Sequence, residues 1–556
     1  MHNKLIKAII CIAILLSVAT LSASFMLPRT VPAKLPPSYA KSSVLLVPLD
    51  SRPVCSSLPQ KLGQLAGLNV ILPPKAYLDN YKTPANKEKI FQWLQINKKY
   101  YSYNIVSADM LLFGSLLEAR QRIATPAEET ALLGKLAALN KSQDEKPVTI
   151  FSVIPRLLVS DELLPDRWYA YQLLRYSEYS DLVRITGSFA LTQKLRQTEK
   201  KIPPKVLQKY ISQYQQSDRF NLGLLALAKK TPDTKLIFGQ DDASPFGLPH
   251  ASAQKIKAAI ASKKLQNKAQ LTYGADEIAA LLIARCFLQQ ADWQPKIYLA
   301  YASTQTEQSV MPYMATNTGN ALANQLALLG AQQVAAPENA DIICYINCGT
   351  EKNAPGKTQA QEVQKLLEAG YKVAIIDSSE DYEPQQLLLP QLLKYNVPIN
   401  RLTAYAGWNT FSNSSGTALA QAVIFAARLR QLQQAGADNQ DIIALYAQNL
   451  NFTLERILED YYYQKTIHPA LRQQLIAFGN DPTKLDEAQK QAAQNYIQSK
   501  LALNAFTLLH TNLGRTPFYS DSNKEYYLKS LAVSSSLPWN RVFEVDLDVW
   551  TSVGAK

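Results

Sequence analysis

From residue 44 onward, short β-branched runs alternate with longer amphipathic stretches. The runs are VLLVPLD (44–50), NVILPP (69–74), YNIVSAD (103–109), VTIFSVIP (148–155), KLIFGQDD (235–242), KIYLAYA (296–302), DIICYIN (341–347), KVAIID (372–377) and RLTAYAG (401–407), with a weaker LTYGAD (271–276). Uninterrupted apolar runs of this length mark strands buried on both faces. KEKIFQWLQI, AEETALLGKLAAL, ASAQKIKAAIAS and DEIAALLIARCFL, which lie between them, read as helices. The alternation predicts an α/β fold of parallel strands and helices, either barrel-like or doubly wound. From about residue 415 the pattern becomes helical, through TALAQAVIFAARLRQLQQ, NLNFTLERILEDYYYQ and KLDEAQKQAAQNYIQSKLALNAF. PWNRVFEVDLDVW (538–550) alternates apolar and acidic positions and reads as a strand. The expected organisation is a barrel-like catalytic region over 44–290, a further α/β region completing the site over 291–414, and a mainly helical region over 415–556. No internal repeat is visible in the sequence.

The first residues have a different character. Lys4 and Lys7 precede an apolar stretch from Ala8 to Leu21, and Ser22, Ala23 and Ser24 follow. This is the pattern of a secretory signal peptide over 1–24, or of an uncleaved signal anchor. Pro28, Pro32, Pro36 and Pro37 make 25–43 an extended tether. The expectation is an exported protein: extracellular, periplasmic, or held on the outer face of the membrane by its N-terminal segment. Charge adds little to this picture. The chain of 556 residues carries 58 Lys and Arg against 45 Asp and Glu, a formal +13, but the lysines are dispersed. No basic block with interleaved aromatics marks a nucleic-acid surface, so no nucleic-acid partner is expected. Cys55, Cys286, Cys344 and Cys348 are too few for a disulfide scaffold and are expected to be free or buried.

Motif chemistry narrows the function by exclusion. With only four His and no HExxH, no zinc-ligand spacing arises, and no metal is assigned. GxSxG, GxGxxG and GxxxxGK[ST] are absent, which argues against a serine-elbow hydrolase and a nucleotide site, and no cofactor is expected. What remains is a concentration of polar groups at strand ends. Parallel strands present ligand chemistry at their C-terminal ends. Asp50 with Arg52, Asp109, Arg156, the Asp241-Asp242 pair and Asp276-Glu277 all fall there, followed later by Asp377 and by the loop carrying Trp408, Asn409 and Asn413. Adjacent carboxylates with separated pKa values can divide acid and base work, so Asp241 and Asp242 are the catalytic candidates. Equally, Asp242 can cap a turn while Asp241 pairs with an arginine. Asp50, Arg52, Asp109, Arg156, Asp276, Glu277, Trp408, Asn409 and Asn413 are the substrate-binding candidates. For Asp276 a helix-capping role competes, and for Trp408 a role as a buried plug.

Seven segments carry a family resemblance: PLDSRPV (48–54), SADMLLFGSLLEAR (107–120), QDDASPFG (240–247), TYGADE (272–277), YAGWNTFSNSSGTALA (405–420), RILEDYYYQ (456–464) and PWNRVFEV (538–545). In these the chain resembles the bacterial family catalogued as domain of unknown function 4127, a resemblance that supplies no activity. A strand ending in Asp-Asp with a later aromatic–Asn loop is also similar to the layout of barrel hexosaminidases that use the substrate's acetamido group as nucleophile. That likeness implies that Asp241 orients the acetamido group and Asp242 acts as general acid/base. The leading expectation is an exported hydrolase of glycosidic bonds, acting on a cell-envelope, dietary or environmental glycan or a small molecule. A hydrolase of phosphate or amide bonds, using a divalent cation held by Asp50, Asp109 and the Asp pair, is a second reading. A non-catalytic glycan-binding envelope protein is a third.

Overall fold

The structure, a computed structural model, describes residues 43–139, 147–159, 167–521 and 524–555. The leader and the tether lie outside these residues, except that Ser43 already opens the first strand. Strands β1 (Ser43–Val47), β2 (Asn69–Ile71), β3 (Tyr103–Ser107), β4 (Val148–Ile154), β5 (Thr234–Gln240) and β6 (Ala269–Tyr273) form one parallel sheet in the order β2-β1-β3-β4-β5-β6. Strands β7 (Lys296–Tyr301), β8 (Gln332–Val334), β9 (Ile342–Gly349), β10 (Val373–Ser379) and β11 (Ala404–Ala406) form a second, in the order β8-β7-β9-β10-β11. Renumbered from its own first strand, the second sheet has the order 2-1-3-4-5, which the first five strands of the first sheet share. This is a doubly wound order, and both sheets are open. The doubly wound alternative therefore replaces the barrel. The topology occurs twice although no sequence repeat is visible, because strand order depends on pattern rather than on residue identity.

Burial explains why the strand runs are so apolar. In β1, Leu45 and Val47 pack on one face while Val44 and Leu46 pack on the other, so helices must cover both. Helices Ser57–Ala66, Ile278–Gln290 and Phe411–Gln434 share a core with residues of both sheets. The last of these is buried almost all round from Phe411 to Leu429, as befits a central helix. All four cysteines of the described region are free and buried.

Between β4 and β5 the chain makes a helical excursion, Arg167–Thr186, Phe189–Glu199 and Pro204–Lys230. The C-terminal region is helical over Asn439–Arg456, wider-wound over Ile457–Ile467, and helical again over His468–Ala477 and Glu487–Leu509. No helix among the described residues is long and apolar enough to cross a membrane. The C-terminal region also carries an antiparallel sheet, β12 (Tyr519–Ser520), β13 (Glu525–Ser536) and β14 (Asp546–Ala555). The alternation at 538–550 thus becomes a strand only from Asp546. Before it, Arg541 pairs with Glu544, Trp539 Nε1 donates to Ser51 Oγ at 3.1 Å, and Tyr463 donates to the Val542 carbonyl. These side-chain anchors hold 538–545 as a loop against the first sheet.

Candidate functional site

The C-terminal ends of β1, β4, β5 and β6 supply one wall of a cavity of about 440 Å³. Past the strand ends the β4–β5 pairing continues: Asp241 N donates to Ile154 O at 3.3 Å and Leu157 N to Asp242 O at 2.7 Å. This sets Arg156 beside the two aspartates. Tyr210 and Tyr214, from the helical excursion, donate to the carbonyls of Leu157 and Arg156 and fix the same turn. Ala243 N donates to Tyr313 O at 2.9 Å, which brings the loop after β7 to the rim. Thr410, Ser412 and Asn413, where the central helix begins, form another part of the wall. His468, Arg472 and the Arg541–Phe543 segment form the rest.

Three arginine–aspartate units organise the charges. Arg52 grips Asp50 through Nε, at 2.9 and 3.0 Å, and Asp276 through its terminal nitrogens, at 2.6 and 3.1 Å. Arg120 binds Asp241 at 2.6 Å. Arg156 binds Asp242 at 2.9 Å. The two neighbouring aspartates then diverge. Burial raises Asp241, but Arg120 and Arg156, with the Asp242 amide donating to it, outweigh that and hold it below the usual carboxylate range. Burial and the charge of Asp241 push Asp242 up to about 6 against the pull of Arg156 and Arg120. One carboxyl is thereby kept ionised and its neighbour kept protonatable near neutrality.

Other acids stand behind the wall. Glu277 is fully buried, and burial pushes it up to about 8. Asn413 Nδ2 donates to its Oε2 at 2.8 Å, while its Oε1 has no partner among the described residues. Asp79 accepts from Ser51 N at 2.8 Å and is raised to about 8, by burial first and then by Asp50. Asp109 accepts from Val153 N at 2.9 Å and is raised by burial to about 7. It shares with Arg120 and Asp241 a side pocket of about 20 Å³, roughly the room one water needs.

Two glycines make space for Glu277. A Cβ on Gly274, whose φ is +100°, would overlap Glu277 Oε1 and lie 2.7 Å from Ser412 Oγ. One on Gly416 would overlap Glu277 Cγ. Gly274→Ala combines a disfavoured backbone conformation with overpacking, and is expected to cost about 2–4 kcal/mol. Urea denaturation measures this, and a loss below about 0.5 kcal/mol would contradict the described packing.

Of the residues singled out by sequence, Arg52, Arg156, Asp241, Asp242, Asp276, Asn409 and Asn413 line the cavity. Asp50 lies buried beneath Arg52, and Glu277 lies behind Asn413. Trp408 is buried in the shared core and is not on the wall, so of its two readings its position is that of the plug. Asp377 is a structural knot at the end of β10, accepting from Leu388 N, Leu389 N, Asn347 and Tyr405. Sequence reasoning missed Asp79, Arg120, Arg472, Arg541, Tyr313 and Phe543. Arg120, Arg541 and Phe543 lie inside segments that carry the family resemblance, the one signal that pointed to them. Tyr313 and Asn409, both on the wall, hold φ of +63° and +55°, in the left-handed region that non-glycine residues rarely adopt.

Among the described residues, no group of three or more His, Cys, Asp or Glu is arranged to hold a metal ion. Fold and site together define a protein of two doubly wound sheets with an arginine–aspartate cavity at the strand ends of the first. The chain belongs to the family described as "Protein of unknown function (DUF4127)", which matches residues 44–548. No curated protein and no solved structure matches it.

Proposed function

We propose that the protein is an exported hydrolase of glycosidic bonds, with Asp242 as general acid/base and Asp241 as its ionised partner. The carrying observation is the divergence of two adjacent carboxyls at one cavity, one held ionised by Arg120 and one poised near 6. Asp242 donates its proton to the glycosidic oxygen as the bond to the anomeric carbon breaks. The Asp241 carboxylate stabilises the positive charge that develops on the sugar ring. Asp242, now a carboxylate, takes a proton from the water that adds to the anomeric carbon, which returns it to its acid form. Tyr313 and Phe543, 40% and 39% exposed, offer ring faces to a sugar in place of Trp408. Asn409, Asn413 and Ser412 supply hydrogen bonds for hydroxyls.

The open sheets remove the barrel from the hexosaminidase comparison, so the assignment rests on local geometry and not on that likeness. The metal reading gains no support, because Asp50, Asp241 and Asp242 already have guanidinium counter-ions. The pH profile on a responsive glycoside tests the proposal. Turnover needs Asp242 protonated, so kcat/KM is expected to fall about tenfold per pH unit above about 6. It needs Asp241 ionised, so the acid limb is expected below the usual carboxylate range. A profile flat through pH 5 to 8, or no cleavage across a broad glycoside panel, rejects the assignment and leaves the non-catalytic reading.

A further inference from the structure

The cavity wall carries five guanidiniums, Arg52, Arg120, Arg156, Arg472 and Arg541, against the three carboxylates of Asp241, Asp242 and Asp276, and no lysine. Three of the five are matched. Arg52 holds both Asp50 and Asp276, Arg120 holds Asp241, and Arg541 pairs with Glu544. Arg156 is matched only while Asp242 is ionised, and its buried Nε has no partner among the described residues. Arg472 is exposed on the wall and makes no hydrogen bond or ion pair among the described residues. His468, one turn earlier on the same helix face, is held neutral by burial and by Arg472, so of these two groups only Arg472 brings positive charge to the wall. An arginine fork on a cavity wall is shaped for a planar or tripodal oxyanion, which it binds through two parallel hydrogen bonds.

We infer that the substrate is an acidic glycan, and that Arg472, with Arg156 beside Asp242, receives the carboxylate or sulfate of one of its sugars. This rests on the proposed hydrolase reading for the identity of the ligand as a glycan. The geometry also links the two steps. When Asp242 carries the proton it is to donate, Arg156 loses its direct ion pair and keeps only the neighbouring charge of Asp241, which leaves its fork open to an anionic group on the substrate. The formal +13 of the chain favours the approach of such a ligand.

The test uses three probes: oligogalacturonate, the same oligomer fully methyl-esterified, and a chondroitin sulfate oligosaccharide. Each is titrated by calorimetry into the full-length protein and into its Asp242→Asn and Arg472→Ala variants, with circular dichroism to confirm folding. At least one acidic probe is expected to bind about tenfold or more tighter than the neutral ester, and Arg472→Ala to remove about that factor from the acidic probe alone. A preference between the two acidic probes identifies the oxyanion. Equal binding of acid and ester, acidic binding untouched by Arg472→Ala, or no binding of any probe overturns the inference. Acidic binding that needs Arg472 but shows no cleavage upholds the anion site, for a bound glycan and not a substrate, and rejects the hydrolase reading. Asp242-dependent cleavage confined to the neutral ester upholds the hydrolase reading and overturns this one.

Discussion

An Asp242→Asn protein is expected to fold like the wild type and to lose turnover by about 10²–10⁴-fold, the usual worth of a positioned general acid. The amide keeps the shape of the side chain and can still accept from Arg156, so the Asp242 O–Leu157 N bond and the turn around it have no reason to move. What it lacks is the proton. The loss should therefore depend on the leaving group. A nitrophenyl glycoside departs as a stable phenolate and needs little protonation, so its hydrolysis should suffer much less than that of an alkyl or sugar glycoside. The alkaline limb near pH 6 should vanish in the same variant. Equal losses on both leaving groups would show that Asp242 is not the acid, whatever else it does.

The reason Asp242 was legible in the sequence while Arg120 was not lies in how each is positioned. Asp242 follows β5 directly, and the rule that parallel sheets carry chemistry at their C-terminal ends is enough to point to it. The same rule finds Asp50, Arg156 and Asp276. Arg120 sits just past a short helix, Leu116–Ala119, and reaches Asp241 across 121 positions of chain. No periodicity encodes that meeting. Arg472 and Arg541 come from the C-terminal region, whose docking on the first sheet depends on side-chain contacts such as Ser57 with Asp546 and Lys61 with Glu455. Trp408 shows a different limit: an aromatic in a polar loop reads equally as a sugar platform or a buried plug, and only the path of the loop, which dips into the core before the central helix starts, separates the two. The strands themselves were legible because burial on both faces demands apolar runs. Only β8, three residues long and largely exposed, and the antiparallel β12 and β13 escaped that signal.

The largest effect on stability is expected from Arg52→Met. Asp50 is wholly buried and Asp276 nearly so, and Arg52 is the cation that binds both. Removing one partner of a buried ionic cluster leaves the others uncompensated, which costs about 3–5 kcal/mol. Asp79 beside Asp50, raised to about 8, offers at most a neutral carboxyl and no positive charge. The pH dependence gives the cause a signature. Asp276 is already raised by burial against the pull of Arg52, and without Arg52 its folded-state pKa rises further above its unfolded value. The folded protein then binds more protons than the unfolded chain wherever the pH lies between those values, so stability falls as pH rises through that window. The variant should accordingly recover stability at pH 5 relative to pH 8, and by more than the wild type does. Adding Asp276→Asn should restore part of the loss at pH 8, because one of the two stranded charges is gone. Urea denaturation of the single and double variants at both pH values reads all of this. An Arg52→Met protein as stable as the wild type at pH 8 would mean that the two aspartates are not the buried anions that the cavity is built upon.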